Sequence, residues 1–312
     1  MSGHHHHSHD VSGAPNHNLA FGTGIALNCG FVVLEIAFGI TAHSTALIAD
    51  AVHNLSDVAG LVLAWVAIWL AQRAPNSRFT YGLRSTTILA ALSNAVLLIL
   101  ACGGLAWEAI QHLFTPTPVA GATVLWVAMV GVAANAVTAL FFFRGRKDDL
   151  NIRGAFVHMA ADAAVSLGVV IAGAVILRTS WYWLDPAMSL VILVVILAGT
   201  WGLLRDSTLL SLHGVPAHLS SGPVTAFLER QPGVSGVHHL HIWALSTTDV
   251  ALTAHLVLPG GHPGDVWVDE LGRALAHDFG IGHSTLQIES DSRSHDRALA
   301  HTDDYEQGLR KS

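Results

Sequence analysis

Charge is scarce in this chain. Only 12% of its 312 residues are Asp, Glu, Lys or Arg, against 52% hydrophobic, and mean hydropathy is +0.49. That balance excludes a disordered polymer, which combines high charge with few large apolar groups. Cysteine is nearly absent: Cys29 and Cys102 both fall inside apolar segments, with no C-x-x-C pairing. They say nothing about a disulfide framework, and both are expected to be buried packing residues. The apolar segments hold no His-Glu-x-x-His and no nucleophile with a neighbouring base, so the chain is read as a non-enzyme. The charge that exists is lopsided. Residues 206–312 hold 13 Asp and Glu against 6 Lys and Arg and carry the whole net charge of −7. An acidic end leaves no electrostatic footprint for nucleic acid.

What the chain has in quantity is long apolar runs, at about 19–41, 45–71, 86–113, 119–143, 154–178 and 184–204. At 1.5 Å per residue each reaches roughly 30 Å, enough to cross the hydrocarbon core of a bilayer. Helices are the expected form, since backbone groups in lipid must be satisfied within each segment. A soluble bundle of such helices would need water-facing sides that the sequence does not supply. Basic residues set an orientation. Arg73, Arg78 and Arg84 lie between runs two and three, and Arg144, Arg146, Lys147 and Arg153 between runs four and five. The other connections carry only Arg178, so the positive-inside rule puts both termini in the cytoplasm. No cleavable signal sequence is visible, because the first apolar run is long enough to be a span. Residues 1–18 form a His-rich tail, with His4 to His7 and His9, readable as a native metal-gathering segment or as an expression tag.

After Arg205 the composition changes. A connector at 206–215 is followed by an expected helix at 216–231, strands at 234–245 and 249–258, a helix at 264–279 and a strand at 283–289. This αββαβ order predicts a small α+β domain over 206–290 with an antiparallel sheet. The polar remainder, 291–312, is expected to be disordered.

Ionisable groups inside the apolar runs are the informative exceptions. A central Asp costs roughly 2.5–3.5 kcal/mol even on a lenient scale, so it rarely occurs without a task. His53-x-x-x-Asp57 lies in run two and His158-x-x-x-Asp162 in run five. Residues four apart on a helix share a face, so each helix offers one imidazole and one carboxylate. Two nitrogens and two oxygens suit tetrahedral zinc or a similar divalent metal. Asp50 is expected to be a helix-end residue near the outer interface rather than a carboxylate holding the His53 ring. Asn54 and Ser56 are read as helix-packing groups, and Asn28, Glu35, Asn94 and Asn135 as interhelical hydrogen-bonding groups. Glu108, His43 and His112 are placed at outer helix ends, in reach of water. In the soluble part, strand alternation puts His239, His241 and Trp243 on one face and His238 on the other.

The stretch Ser44 to Asp57 (STALIADAVHNLSD), the Tyr81-Gly82 entry to run three, the His158–Asp162 pair and Val237 to Trp243 (VHHLHIW) together resemble the cation diffusion facilitator family. The resemblance runs from about residue 16 to 290. It implies a homodimer of six-helix membrane domains (19–205), each with a cytoplasmic, ferredoxin-like, metallochaperone-like domain. It implies export of Zn²⁺ from the cytoplasm in exchange for protons, through His53, Asp57, His158 and Asp162. It implies His238, His255 and Glu289 as metal ligands of the soluble domain, with His283 beside them. It departs from some relatives at Arg73 to Arg78, which hold no His or acid, and at Arg144 to Asn151, which are short and without His. The first departure predicts no metal in that loop, and the second fits a prokaryotic member, in a plasma (inner) membrane. Co²⁺, Cd²⁺, Ni²⁺, Fe²⁺ or Mn²⁺ as cargo stays open, as does a membrane metal sensor that binds without carrying.

Overall fold

The structure is a computed structural model that describes residues 17–143 and 150–290, with side chains at 29–140, 143 and 156–290. The His-rich tail, the polar remainder and the basic Arg144, Arg146 and Lys147 lie outside the described residues, as do the side chains of Asn28 and Arg153. Six long helices come first: α1 (His17–Ala42), α2 (Thr45–Ala71), α3 (Thr86–Phe114), α4 (Gly121–Phe143), α5 (Leu150–Thr179) and α6 (Leu184–Ser211). By length and composition, α2 to α6 are able to cross a membrane, and the described apolar part of α1 is Cys29–Ala42. Large apolar side chains stand outward along them, with Trp65 71%, Leu100 66% and Val194 65% exposed. Exposed apolar surface on that scale is what lipid contact requires, and the chain is a multi-pass membrane protein.

Among the described residues the chain divides into two compact units, and the division falls within α2, α3 and α6. The first holds the chain up to Ala59 together with Leu98–Leu197. Its core gathers Leu47, Cys102, Val124, Val169, Ile192 and Leu193. The helices α4 and α5 approach backbone to backbone, because a Cβ on Gly173 would stand 2.9 Å from Leu125 N and 3.2 Å from Gly121 O. Small residues at such crossings replace the hydrophobic drive that lipid removes. Cys102 is buried as expected, whereas Cys29 is exposed on the outward face of α1. An apolar span has no need to bury a small apolar group, which explains the difference.

The start of α2 is capped from another helix. Asp185, in the first turn of α6, accepts from Ser44 Oγ, from Thr45 N at 2.7 Å and Thr45 Oγ1 at 2.9 Å, and from Ala46 N at 3.4 Å. A carboxylate at a helix N-terminus satisfies orphan N–H groups and complements the helix dipole. Asp185→Ala is expected to destabilise the membrane unit by about 1–2 kcal/mol, the cost of a lost N-cap. Thermal unfolding in detergent checks this, and an unchanged midpoint would remove the cap from the account of how α2 is held.

The second unit comprises Gly60–Leu97 and the chain from Ala198 onward. Here α6 runs on to Ser211 instead of ending near residue 204, and the Ser207 and Ser211 hydroxyls fold back to donate to carbonyls four residues earlier. The next helix, α7 (Ser221–Glu229), is shorter than the expected 216–231. Ser220 takes an extended N-cap conformation, and Pro223 sits in the first turn, where its missing N–H costs nothing. Strands β1 (Gly236–Ala244), β2 (Val250–Val257) and β3 (His283–Glu289) then enclose α8 (Asp265–Phe279), which closes on Gly280 at φ 69°.

The sheet order is β1-β2-β3. The expected antiparallel sheet is corrected: β1 and β2 are antiparallel, but β2 and β3 are parallel. α8 is the reason. A helix between two neighbouring strands carries the chain back to its starting edge and makes the second strand parallel to the first. Val224 and Leu228 of α7 and Leu271 and Leu275 of α8 pack on the sheet face that holds Leu252, Ala254 and Leu256. Alternation leaves Thr253 and His255 on the other face. The β1–β2 turn is tied to the start of α3 by Arg84–Asp249 at 3.4 Å, by Ser85 Oγ donating to Leu245 O and by Thr247 N donating to Thr87 Oγ1.

Candidate metal sites

In the first unit, α2 and α5 bring all four motif residues together. The pairing is crossed. His53 Nε2 on α2 lies 3.3 Å from Asp162 Oδ1 on α5, and His158 Nε2 on α5 lies 3.1 Å from Asp57 Oδ2 on α2. Within α5, His158 Nε2 is 3.6 Å from Asp162 Oδ2. The two imidazole rings stand edge to face at 6.0 Å. Zinc bonds of about 2.0–2.2 Å in a tetrahedron set neighbouring ligand atoms roughly 3.3 Å apart. The His53–Asp162, His158–Asp57 and His158–Asp162 separations of 3.1–3.6 Å bracket that value, and the set whose ligand atoms all come within 4.8 Å of one another is His53, Asp57 and Asp162, without His158. His53 Nδ1 and Asp162 Oδ2 are buried without a hydrogen-bond partner. The side chains grade from Asp162, 5% exposed, through His53 at 18% and Asp57 at 31%, to His158 at 44%. One end of the set is therefore enclosed and the other open.

Two further contacts join these helices. Ser166 Oγ of α5 donates to Asp50 Oδ2 at 3.1 Å, and Asn54 Nδ2 donates to Glu35 Oε2 of α1 at 3.0 Å. Asp50, 1% exposed, is buried between helices and is not the helix-end residue expected, because it makes its bond to α5. Glu35 and Asn54 do bond between helices. Asn135 is buried, with Nδ2 unpartnered, and Asn94 lies against Gly60. Glu108 and His43 are exposed, and His112 is half-buried.

In the second unit, the sheet face turned from the helices gathers a second set. Register places His238 opposite His255 and His255 beside Gln287, two residues before Glu289. His238 Nε2 lies 3.0 Å from Glu289 Oε2, and His255 Nδ1 lies 2.7 Å from Glu289 Oε1. Gln287 Nε2 also donates to Oε1. Burial holds the His255 imidazole below its ordinary range, with His238 and His239 adding to the effect against Glu289. Burial works to raise the Glu289 carboxyl, but the bond from His255 and the field of His238 outweigh it and hold it low. Both shifts favour the forms that bind metal, neutral imidazole and ionised carboxylate.

Strict alternation fails at one point. The β1 register shifts between His238 and His241, and His239 takes a left-handed φ of 49°. This bulge turns the His239 ring to 5.2 Å from that of His238 and 5.1 Å from that of His255, not to the face expected. His241 pairs with Thr253 and is exposed. His283 is not brought to the set. It pairs with Ala251 at the far end of β3, and its ring meets Tyr81 at 5.5 Å.

Comparison with known proteins covers most of the chain. A family model described as the cation efflux transmembrane domain matches residues 23–210, and one described as the cation efflux protein cytoplasmic domain matches 216–291. The chain is similar to the zinc transporter ZitB of Escherichia coli, at 34% identity over 91% of this chain and 92% of that one. It is similar to the metal cation efflux system protein CzcD of Cupriavidus metallidurans, at 35% over 91% and 89%. It is also similar to the cadmium, cobalt and zinc/H(+)-K(+) antiporter of Bacillus velezensis, at 31% over 94% and 95%.

Proposed function

This chain belongs to the cation efflux, or cation diffusion facilitator, family, and from that premise we propose that it exports Zn²⁺ in exchange for protons through His53, Asp57, His158 and Asp162. The observation that carries the proposal is the crossed pairing of α2 and α5, which sets two imidazoles and two carboxylates against one another, with ligand atoms of His53, Asp57 and Asp162 within 4.8 Å of each other. The relatives named for zinc efflux support the cargo. A relative named as a cadmium, cobalt and zinc/H(+)-K(+) antiporter supports the coupling.

The coupling follows from shared lone pairs. Neutral imidazole and ionised carboxylate bind zinc, and their protonated forms do not. An imidazole with a reference pKa near 6.5 makes proton competition effective near neutral pH. Facing the cytoplasm, the site loads metal and sheds protons; facing outward, it takes protons and sheds metal. Exposure alternates as the helices carrying the ligands tilt. The reading includes six spans, with α1 as the first, both termini in the cytoplasm of a bacterial cell, and a ferredoxin-like soluble domain within a homodimer. In that domain, metal at His238, His255 and Glu289 biases the transport equilibrium to the extent that it binds one state better.

The test is flux in proteoliposomes. An imposed zinc gradient is expected to drive proton movement the opposite way. Zinc binding without any flux would instead leave a sensor, and proton-coupled flux of Co²⁺ or Cd²⁺ but not Zn²⁺ would replace the cargo.

A further inference from the structure

The membrane unit holds a second pair of carboxyl groups that the metal site does not use. Glu35, on α1, is 0% exposed and Asp50, on α2, is 1% exposed. Asp50 and Asn54 lie four residues apart on one face of α2, and Asn54 holds Glu35, so the two carboxyl groups come to the same side of that helix. Each is anchored once by a neutral donor: Asn54 Nδ2 to Glu35 Oε2 and Ser166 Oγ to Asp50 Oδ2. Glu35 Oε1 is buried with no donor in reach. No Lys or Arg pairs with either carboxyl among the described residues. The charged or titratable groups whose fields reach Asp50 are Glu35, His53 of α2 and Asp162 of α5.

Two carboxylates this close, out of water and without a cation, do not both stay ionised. A hydrogen bond between two carboxyl groups needs a proton to make it. We propose that Glu35 and Asp50 share one proton and form a proton-binding site of this transporter, separate from the metal ligands. The inference rests on the antiport reading above for its role, though not for the presence of the proton. Asp50 lies one helical turn before His53, so metal arriving at His53 and Asp162 adds positive charge beside the pair and expels its proton. Metal leaving calls the proton back. The pair thereby adds a proton to those released by the imidazoles themselves, and the coupling ratio depends on two sites instead of one.

Infrared difference spectroscopy of the full chain tests this without relying on transport. The carbonyl band of a protonated carboxyl group is expected at neutral pH in the metal-free protein, shifted by isotope labelling of glutamate or aspartate, and lost on addition of Zn²⁺. Glu35→Gln is expected to lose that band, and both Glu35→Gln and Asp50→Asn are expected to keep zinc binding and to move fewer protons per zinc than the intact protein. A labelled band that ignores zinc, or the absence of any such band, overturns the proposal even if both variants fail to fold. An unchanged proton-to-zinc ratio in folded variants also overturns it. Intact protein that shows the zinc-sensitive band but moves no protons with zinc would sink the antiport reading, and leave the shared proton as a charge-balancing group of the zinc-bound state.

Discussion

Asp162→Ala is expected to abolish zinc transport. Asp162 is the enclosed member of the site and its bridge: Oδ1 faces His53 at 3.3 Å and Oδ2 faces His158 at 3.6 Å. Its side chain is 5% exposed, so no bulk water stands ready to replace the lost oxygen. Loss of an outer partner of a metal ligand already costs about 10–100-fold in affinity, and loss of a ligand exceeds that. The gradation in exposure predicts an order. His158, 44% exposed, borders space from which a water can take the fourth position, so His158→Ala is expected to keep weak binding where Asp162→Ala keeps none. Zinc uptake and equilibrium zinc binding in parallel check both variants. Transport that survived Asp162→Ala would place the path elsewhere, while equal losses in the two variants would remove the argument from enclosure.

The four His and Asp residues of the two motifs were legible because lipid makes each ionisable group conspicuous against an apolar run. Their pairing was not. The i, i+4 spacing gives a shared face within one helix, whereas the bonds observed run from His53 to Asp162 and from His158 to Asp57, between helices 101 or more residues apart. Asp50, Glu35 and Asp185 carried the same signal of charge in an apolar segment. What they face is set by tertiary packing, which no local spacing encodes. In the soluble domain the element order followed from turn residues and alternation. The parallel β2–β3 pair was latent in that order, since α8 intervenes. The His239 bulge has no such signal: a left-handed non-glycine residue inside a strand breaks the periodicity from which faces are read. The overrun of α6 to Ser211 carries Arg205 and Asp206 inside the helix, which hydropathy does not register.

Glu289→Ala is the second change expected to have a large effect, here on metal held by the soluble domain. Glu289 touches both His238 and His255, its side chain is 5% exposed, and Gln287 fixes its Oε1. Removing it takes away the one carboxylate of the set and the group that orients both rings, so zinc affinity there is expected to fall by more than about 10–100-fold. His283→Ala serves as the contrast: its ring lies against Tyr81, outside the set, and binding is expected to hold. Acid gives a second handle, and both groups act in one direction. Folding lowers the His255 pKa from 6.5, so between the folded value and 6.5 the unfolded chain binds more protons and stability rises with pH. Folding also lowers the Glu289 pKa from 4.5, so its contribution is present above 4.5 and is lost as pH falls through the folded value. Metal adds to the same trend, because protons compete for the same atoms. Zinc titration of the full chain in an Asp57→Ala and Asp162→Ala background, which removes the membrane site, isolates the soluble one. There the affinity is expected to weaken as pH falls through the lowered His255 value, below 6.5. Affinity that stayed flat with pH, or that fell with His283→Ala and not with Glu289→Ala, would mean that these three side chains do not hold the metal.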